Sequence, residues 1–128
     1  MTNDLDITMI EDAVISIIRN LGVSQKVYPN RPKAADSTSD FVVVRVDGVE
    51  DLSAYGTCTV SVDLFAKDID SIKNRKKLSV MYQKLRSGFP ASKDRLIFDT
   101  EWNILGDTPD EFGFHARIIR IQTTIKAI

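Results

Sequence analysis

The chain has 128 residues, 43% hydrophobic and 27% charged, the size and balance of one globular domain rather than of a disordered or fibrous protein. Seventeen basic residues against eighteen acidic ones give a net charge of -1, which argues against a generally basic nucleic-acid-binding surface. No run has the length of a membrane span, the opening Met1-Thr2-Asn3-Asp4 lacks the basic flank of a signal peptide, and the single cysteine, Cys58, has no partner for an intramolecular disulfide. The expectation is one domain over residues 1–128 that stays in the cytoplasm and draws its stability from packing or association.

Ile7, Ile10, Val14, Ile17, Ile18 and Leu21 recur at steps of three and four, which predicts an amphipathic helix over residues 7 to 21. Thr8-Met9-Ile10-Glu11 has the form of a capping box, Asp6 is an alternative cap, and Gly22 stands where the helix should end. Residues 29 to 40, with Pro29, Pro32, Asp36, Ser37, Thr38 and Ser39, read as an irregular segment. Phe41 to Val46 is rich in β-branched residues and breaks off at Asp47-Gly48, the pattern of a strand. Cys58, Val60, Val62 and Leu64 then alternate with Thr57, Thr59, Ser61 and Asp63, a strand with one buried face. The interval from Asp47 to Gly56 has the length of a long hairpin connection whose tip projects from the sheet.

From Asp70 to Gly88 the period returns to the helical one, with Ile72, Leu78, Met81, Tyr82 and Leu85 on one face, Asp70 as N-cap and Phe89-Pro90 as the stop. Arg95 to Ile104 reads as a strand whose apolar face carries Leu96, Phe98, Trp102 and Ile104. Gly106-Asp107-Thr108-Pro109-Asp110 reads as a turn, and Phe112 to Ile125 as a last strand that pairs back on its predecessor. This order implies an α+β fold: a mainly antiparallel sheet of four strands, or five if Val27-Tyr28 forms a short one, with two helices packed on one face.

Residues able to carry chemistry are few. Cys58 shares the alternation of Val60 and Val62 and reads as a core residue rather than the nucleophile of a Cys-His pair, while His115, the one histidine, reads as a surface or interface residue. One cysteine and one histidine fall short of a structural zinc site. Asp99 and Glu101 share a strand face beside Asp107, Asp110 and Glu111; a carboxylate pair or a divalent ion can be drawn there, against the plainer reading of a solvated face and a polar turn. The six glycines are dispersed at element boundaries and form no phosphate loop. No catalytic, metal-binding or cofactor-binding residue is assigned.

Two features point to partner contacts instead. Lys73, Arg75, Lys76, Lys77, Lys84 and Arg86 stand with no acidic residue between Ser71 and Gly88, suited to an acidic protein surface or to phosphates, or else a solvated face. The hairpin tip combines acidic Asp47, Glu50 and Asp51 with the apolar anchors Leu52 and Tyr55. The candidate contacts are Glu50, Asp51, Leu52, Tyr55, Lys73, Lys76 and Lys77.

The N-terminal helix, the Val27-Tyr28-Pro29 step, the Phe41 to Val46 strand, the long hairpin into Thr57 to Ala66, the second helix and the terminal hairpin together resemble the tail-terminator proteins of long-tailed bacteriophages, over nearly the full chain. The resemblance implies a virion protein assembled in the bacterial cytoplasm. It would form a ring, usually of six subunits, that ends tail-tube polymerisation and meets the head connector or stopper, with DNA passing only in transit through the pore. The alternatives are a head-completion or stopper protein of the same virion, and a small α+β enzyme or ligand-binding domain.

Overall fold

The computed structural model describes residues 6–30, 39–51, 55–93 and 96–126, the side chains of residues 51, 93 and 99–101 excepted. The elements run α1 (Ile7–Leu21), β1 (Val27–Tyr28), β2 (Phe41–Asp51), β3 (Tyr55–Lys67), α2 (Arg75–Ser87), β4 (Ala91–Lys93), β5 (Leu96–Pro109) and β6 (Phe114–Lys126). The six strands form one sheet in the order β1-β2-β3-β6-β5-β4, with β1 parallel to β2 and every other neighbouring pair antiparallel. The α+β class is as the sequence predicts. The sheet is mixed and larger than the four or five mainly antiparallel strands expected, because its two edges are strands of two and three residues, too short to leave a periodic signal.

Asp6, not the Thr8 capping box, starts α1: its Oδ1 accepts the Met9 N–H at 2.9 Å. At the other end Gly22 is left-handed, φ 72°, and donates its N–H to the Arg19 carbonyl. Ile10, Ala13, Val14, Ile15 and Ile18 face the core, whereas Ile7 lies in the first turn and stays 42% exposed. The second helix begins at Arg75, five residues after the expected cap. Asp70 and Ser71 have φ of 51° and 64° and form a tight turn closed by reciprocal Ile69 and Ile72 backbone hydrogen bonds, each 2.9 Å, so no helix can include them. Asn74 caps instead, accepting the Lys77 N–H at 3.1 Å. Ile72 is therefore 68% exposed rather than part of the buried stripe, while Leu78, Met81 and Leu85 are fully buried, as their spacing predicts.

Both helices contribute to one core with Val42 and Val44 of β2, Cys58 to Ala66 of one parity in β3, Leu96 and Phe98 of β5, and Ile119, Ile121 and Ile125 of β6. Their C-terminal ends meet where Gly88 packs on Leu21; a Cβ there would come within 2.5 Å of the Leu21 side chain. The opposite face of the sheet carries a second, smaller cluster of Phe41, Val43, Phe65, Phe114 and Ala116. Phe41 stacks on Phe65 with centroids 4.5 Å apart and takes Phe114 edge-on at 5.2 Å.

Both hairpins are longer than the sequence suggests. The strands β2 and β3 run on through most of the supposed Asp47 to Gly56 connection, so only residues 52–54 join them. The ladder absorbs one extra residue between Val46 and Val49, where Gly48 has φ 125°, a bulge that reads in sequence as a turn. Likewise Gly106, φ 93°, lies at an irregularity between Ile104 and Asp107 inside β5, and the turn falls at residues 110–113. Ile104, expected on the apolar face, is 49% exposed although its partner across the ladder, Ile119, is fully buried.

Cys58 is 6% exposed, and burial pushes its thiol up to about 11 despite a hydrogen bond from Thr123. A thiol reagent at neutral pH is expected to label the native protein far more slowly than the unfolded chain, and Cys58→Ser to lose about 1–3 kcal/mol in denaturant melts. Rapid native labelling would place Cys58 outside the core.

Candidate interaction surfaces

The residues that suggested chemistry are apart or engaged. Cys58 pairs in register with Thr123, and His115 with Ala66; the eight-residue offset along β3, from 58 to 66, separates them by roughly 26 Å. His115 Nδ1 lies 2.7 Å from Asp68 Oδ1, joining the start of β6 to the segment after β3. The Arg117 guanidinium holds Asp107 bidentately, Nε to Oδ1 at 2.7 Å and Nη2 to Oδ2 at 3.0 Å, and Lys73 Nζ adds 3.2 Å to Oδ2. These donors hold the Asp107 carboxyl below its usual range, and the Asp107 carboxylate in turn pushes Arg117 up. Asp110 Oδ1 accepts the Phe112 and Phe114 N–H groups at 2.8 and 3.0 Å, shaping the β5–β6 turn. The side chains of Asp99 and Glu101 lie outside the described residues.

A further polar group, not marked by any motif in the sequence, sits on the face away from the helices. Asp63 is 7% exposed and takes Arg45 Nη2 at 3.1 Å and the Ser61 hydroxyl at 3.1 Å. Burial raises the Asp63 carboxyl above its usual value, although Arg45 and Ser61 pull it down. Alternation alone marks Ser61 and Asp63 as solvated; they are covered because β3 lies between β2 and β6 in the middle of the sheet.

Those of the seven predicted contact residues that are described fall at two opposite ends of the sheet. At one end, Glu50 is exposed near the end of β2 and pairs with Thr57, while Tyr55 opens β3 at 45% exposure opposite Lys126. The backbone of Asp51 pairs with Gly56; the Asp51 side chain and all of Leu52 lie outside the described residues. At the other end stand the lysines, divided among different roles. Lys73 precedes α2 and is drawn into the Asp107 group, contrary to the expectation that it stands solvated on the helix. Lys77 lies 3.7 Å from Asp40, whereas Lys76 and Arg75 are exposed. Beside them Ile69, Ile72 and Val80 are 59%, 68% and 41% exposed, an apolar set concealed in sequence by the expected helical stripe. Farther along, Lys84 Nζ reaches the Gly22 carbonyl at 3.4 Å and Arg86 lies over the Trp102 ring at 4.6 Å, so the helix is not uniformly basic.

Asp107 and Asp63 should respond to pH with opposite signs. The folded value of Asp107 lies below the unfolded one, so its contribution is present above the unfolded value and lost as pH falls through the folded one. Asp107→Asn is expected to cost about 1–3 kcal/mol at pH 7, with the gap to wild type closing in acid melts. The folded value of Asp63 lies above the unfolded one, so its ionisation opposes folding as pH rises through that window. Asp63→Asn, which keeps one acceptor oxygen and removes the buried charge, should leave stability unchanged or raise it by about 1 kcal/mol at pH 7; a clear loss there would show that the ion pair outweighs the burial.

Among the described residues no helix is long and apolar enough to cross a membrane. Neither a family model nor a curated protein sequence matches the chain.

Proposed function

We propose that this chain is a structural subunit of a long-tailed phage or prophage tail, a terminator that assembles into a ring, of six copies on the family pattern, at the head-proximal end of the tube. There it ends polymerisation, offers its other side to the head connector or stopper, and lets DNA pass through its pore. Its place is the virion tail, after assembly in the host cytoplasm. The observation that carries this reading is the display of large apolar side chains beyond the core: Tyr55 at one end of the sheet, and Ile69, Ile72, Ile104 and Leu105 elsewhere, are 45–68% exposed. Tyr55, Ile104 and Leu105 lie on strands, and Ile69 and Ile72 close a hydrogen-bonded turn. Ordered apolar groups held in water mark surfaces made for other protein subunits.

The test is assembly. Light scattering over rising concentration should give a mass about six times that of the subunit, and addition to polymerising tail tube protein should halt growth and leave the ring on one tube end. A ring that binds connector but not tube would assign the stopper role. A monomer at every concentration that binds neither would remove the virion reading and leave a ligand-binding domain.

A further inference from the structure

The basic residues that stand together in sequence part company in the structure. Lys73 goes to Asp107, Arg86 to the Trp102 ring, and Arg75 and Lys76 stay in solvent. Lys77 and Lys84 take a different course. Two turns apart, they share one side of α2 at a rise of roughly 10 Å, and Lys26, immediately before β1, joins them there. The three lysines line one hollow of about 340 Å³ beside the end of α1, with Ser24, Ser39 and Asp40 in its wall.

Hydrogen bonds fix that wall. The Ser24 hydroxyl donates to the Asp40 carbonyl at 3.3 Å and accepts the Lys26 N–H at 3.1 Å, while the Val42 N–H donates to the Lys26 carbonyl at 2.8 Å. The charge of the hollow is unbalanced, since three ammonium groups share it with one carboxylate, that of Asp40. Lys77 Nζ lies 3.7 Å from Asp40 Oδ1, too far for a hydrogen bond. Lys84 Nζ reaches only the Gly22 carbonyl, at 3.4 Å, which offsets the negative end of α1. An ammonium carries three donors, so the described residues leave most of those on Lys77 and Lys84 unused.

We propose that this hollow binds a phosphate group. Lys77 and Lys84 donate to its oxygens, and Lys26 adds a third positive charge at the rim. Phosphate suits the hollow better than a carboxylate: its charge of about −2 offsets the surplus of three lysines over one aspartate, and its oxygens accept from several ammoniums at once. The site lies within one subunit, so it goes beyond the ring reading and stands or falls without it.

Titration of the full chain with inorganic phosphate at constant ionic strength, followed by amide NMR, tests the site, and each variant's spectrum shows whether it folds. Saturable shifts are expected around Gly22 to Lys26 and Asp40. Lys77→Ala and Lys84→Ala should each weaken binding roughly tenfold, and Lys76→Ala, exposed on the same helix outside this hollow, should leave it unchanged. Asp40→Asn, which removes the one competing carboxylate, should tighten it roughly threefold. A short DNA duplex that shifts the same amides and is displaced by phosphate would identify a nucleic-acid backbone as the source; a duplex without effect would assign free phosphate or a phosphate monoester. Shifts that rise without saturating, or a loss with Lys76→Ala equal to that with Lys77→Ala, would show bulk screening alone and overturn the site.

Discussion

The pairing of β3 with β6 holds this molecule together. It runs the whole length of β3, from Tyr55 opposite Lys126 to Lys67 opposite Phe114, and joins two hairpins that would otherwise each be a two- or three-stranded ribbon with one side unsupported. The helices pack on one face of the sheet, α2 against β3 and α1 against β2, and Val60, Val62, Leu64, Ile119 and Ile121 are fully buried in the core they share. On the reverse face Phe65 and Phe114 close on Phe41 from the two sides of the seam. The paired residues are far apart in sequence, so loop closure must precede most of the stabilisation, and folding should be slow for a chain of this size.

The same seam explains why a buried carboxylate is tolerated. Asp63 has neighbours on both flanking strands, and its carboxylate is met by Ser61 two residues along the same strand and by Arg45 across the ladder. The Arg45 side chain remains 47% exposed, so the pair is wet on one side and its attraction is screened. Asp107 is held more completely, by a guanidinium fork and a lysine. One group therefore sits in the sheet at a net cost, and the other staples the β5–β6 hairpin to the segment before α2.

Much of the fold is legible in the sequence where one period persists over several turns or pairs. The burial of Leu78, Met81 and Leu85, the alternation through Cys58 to Leu64, and the return of the last strand all follow from spacing. What the spacing hides is punctuation. Gly48 and Gly106 look like turn residues and are bulges inside strands, because both features call for the same conformational freedom. Ile72 fits the phase of the following helix while belonging to a left-handed turn, and no periodicity distinguishes the two. The pairing of one hairpin with the other leaves no local trace at all. For the contact residues, residue types suggested which groups seek partners; only the topology decided that Lys73 is already taken and that Ile69 and Val80 stand beside Lys76.

The bulge at Gly48 has a geometric consequence for assembly. An extra residue absorbed on one strand leaves the facing of Val49 and Glu50 intact, yet bends the arm and deepens its twist. Nothing lies within 4 Å of a Cβ at this glycine, so its backbone angle, rather than crowding, restricts the position. In the proposed ring every subunit repeats the same angle to its neighbour, and closure requires those angles to sum to a full turn. The direction of one glycine would then be multiplied around the circle, and a few degrees of change there would separate a closed annulus from a spiral.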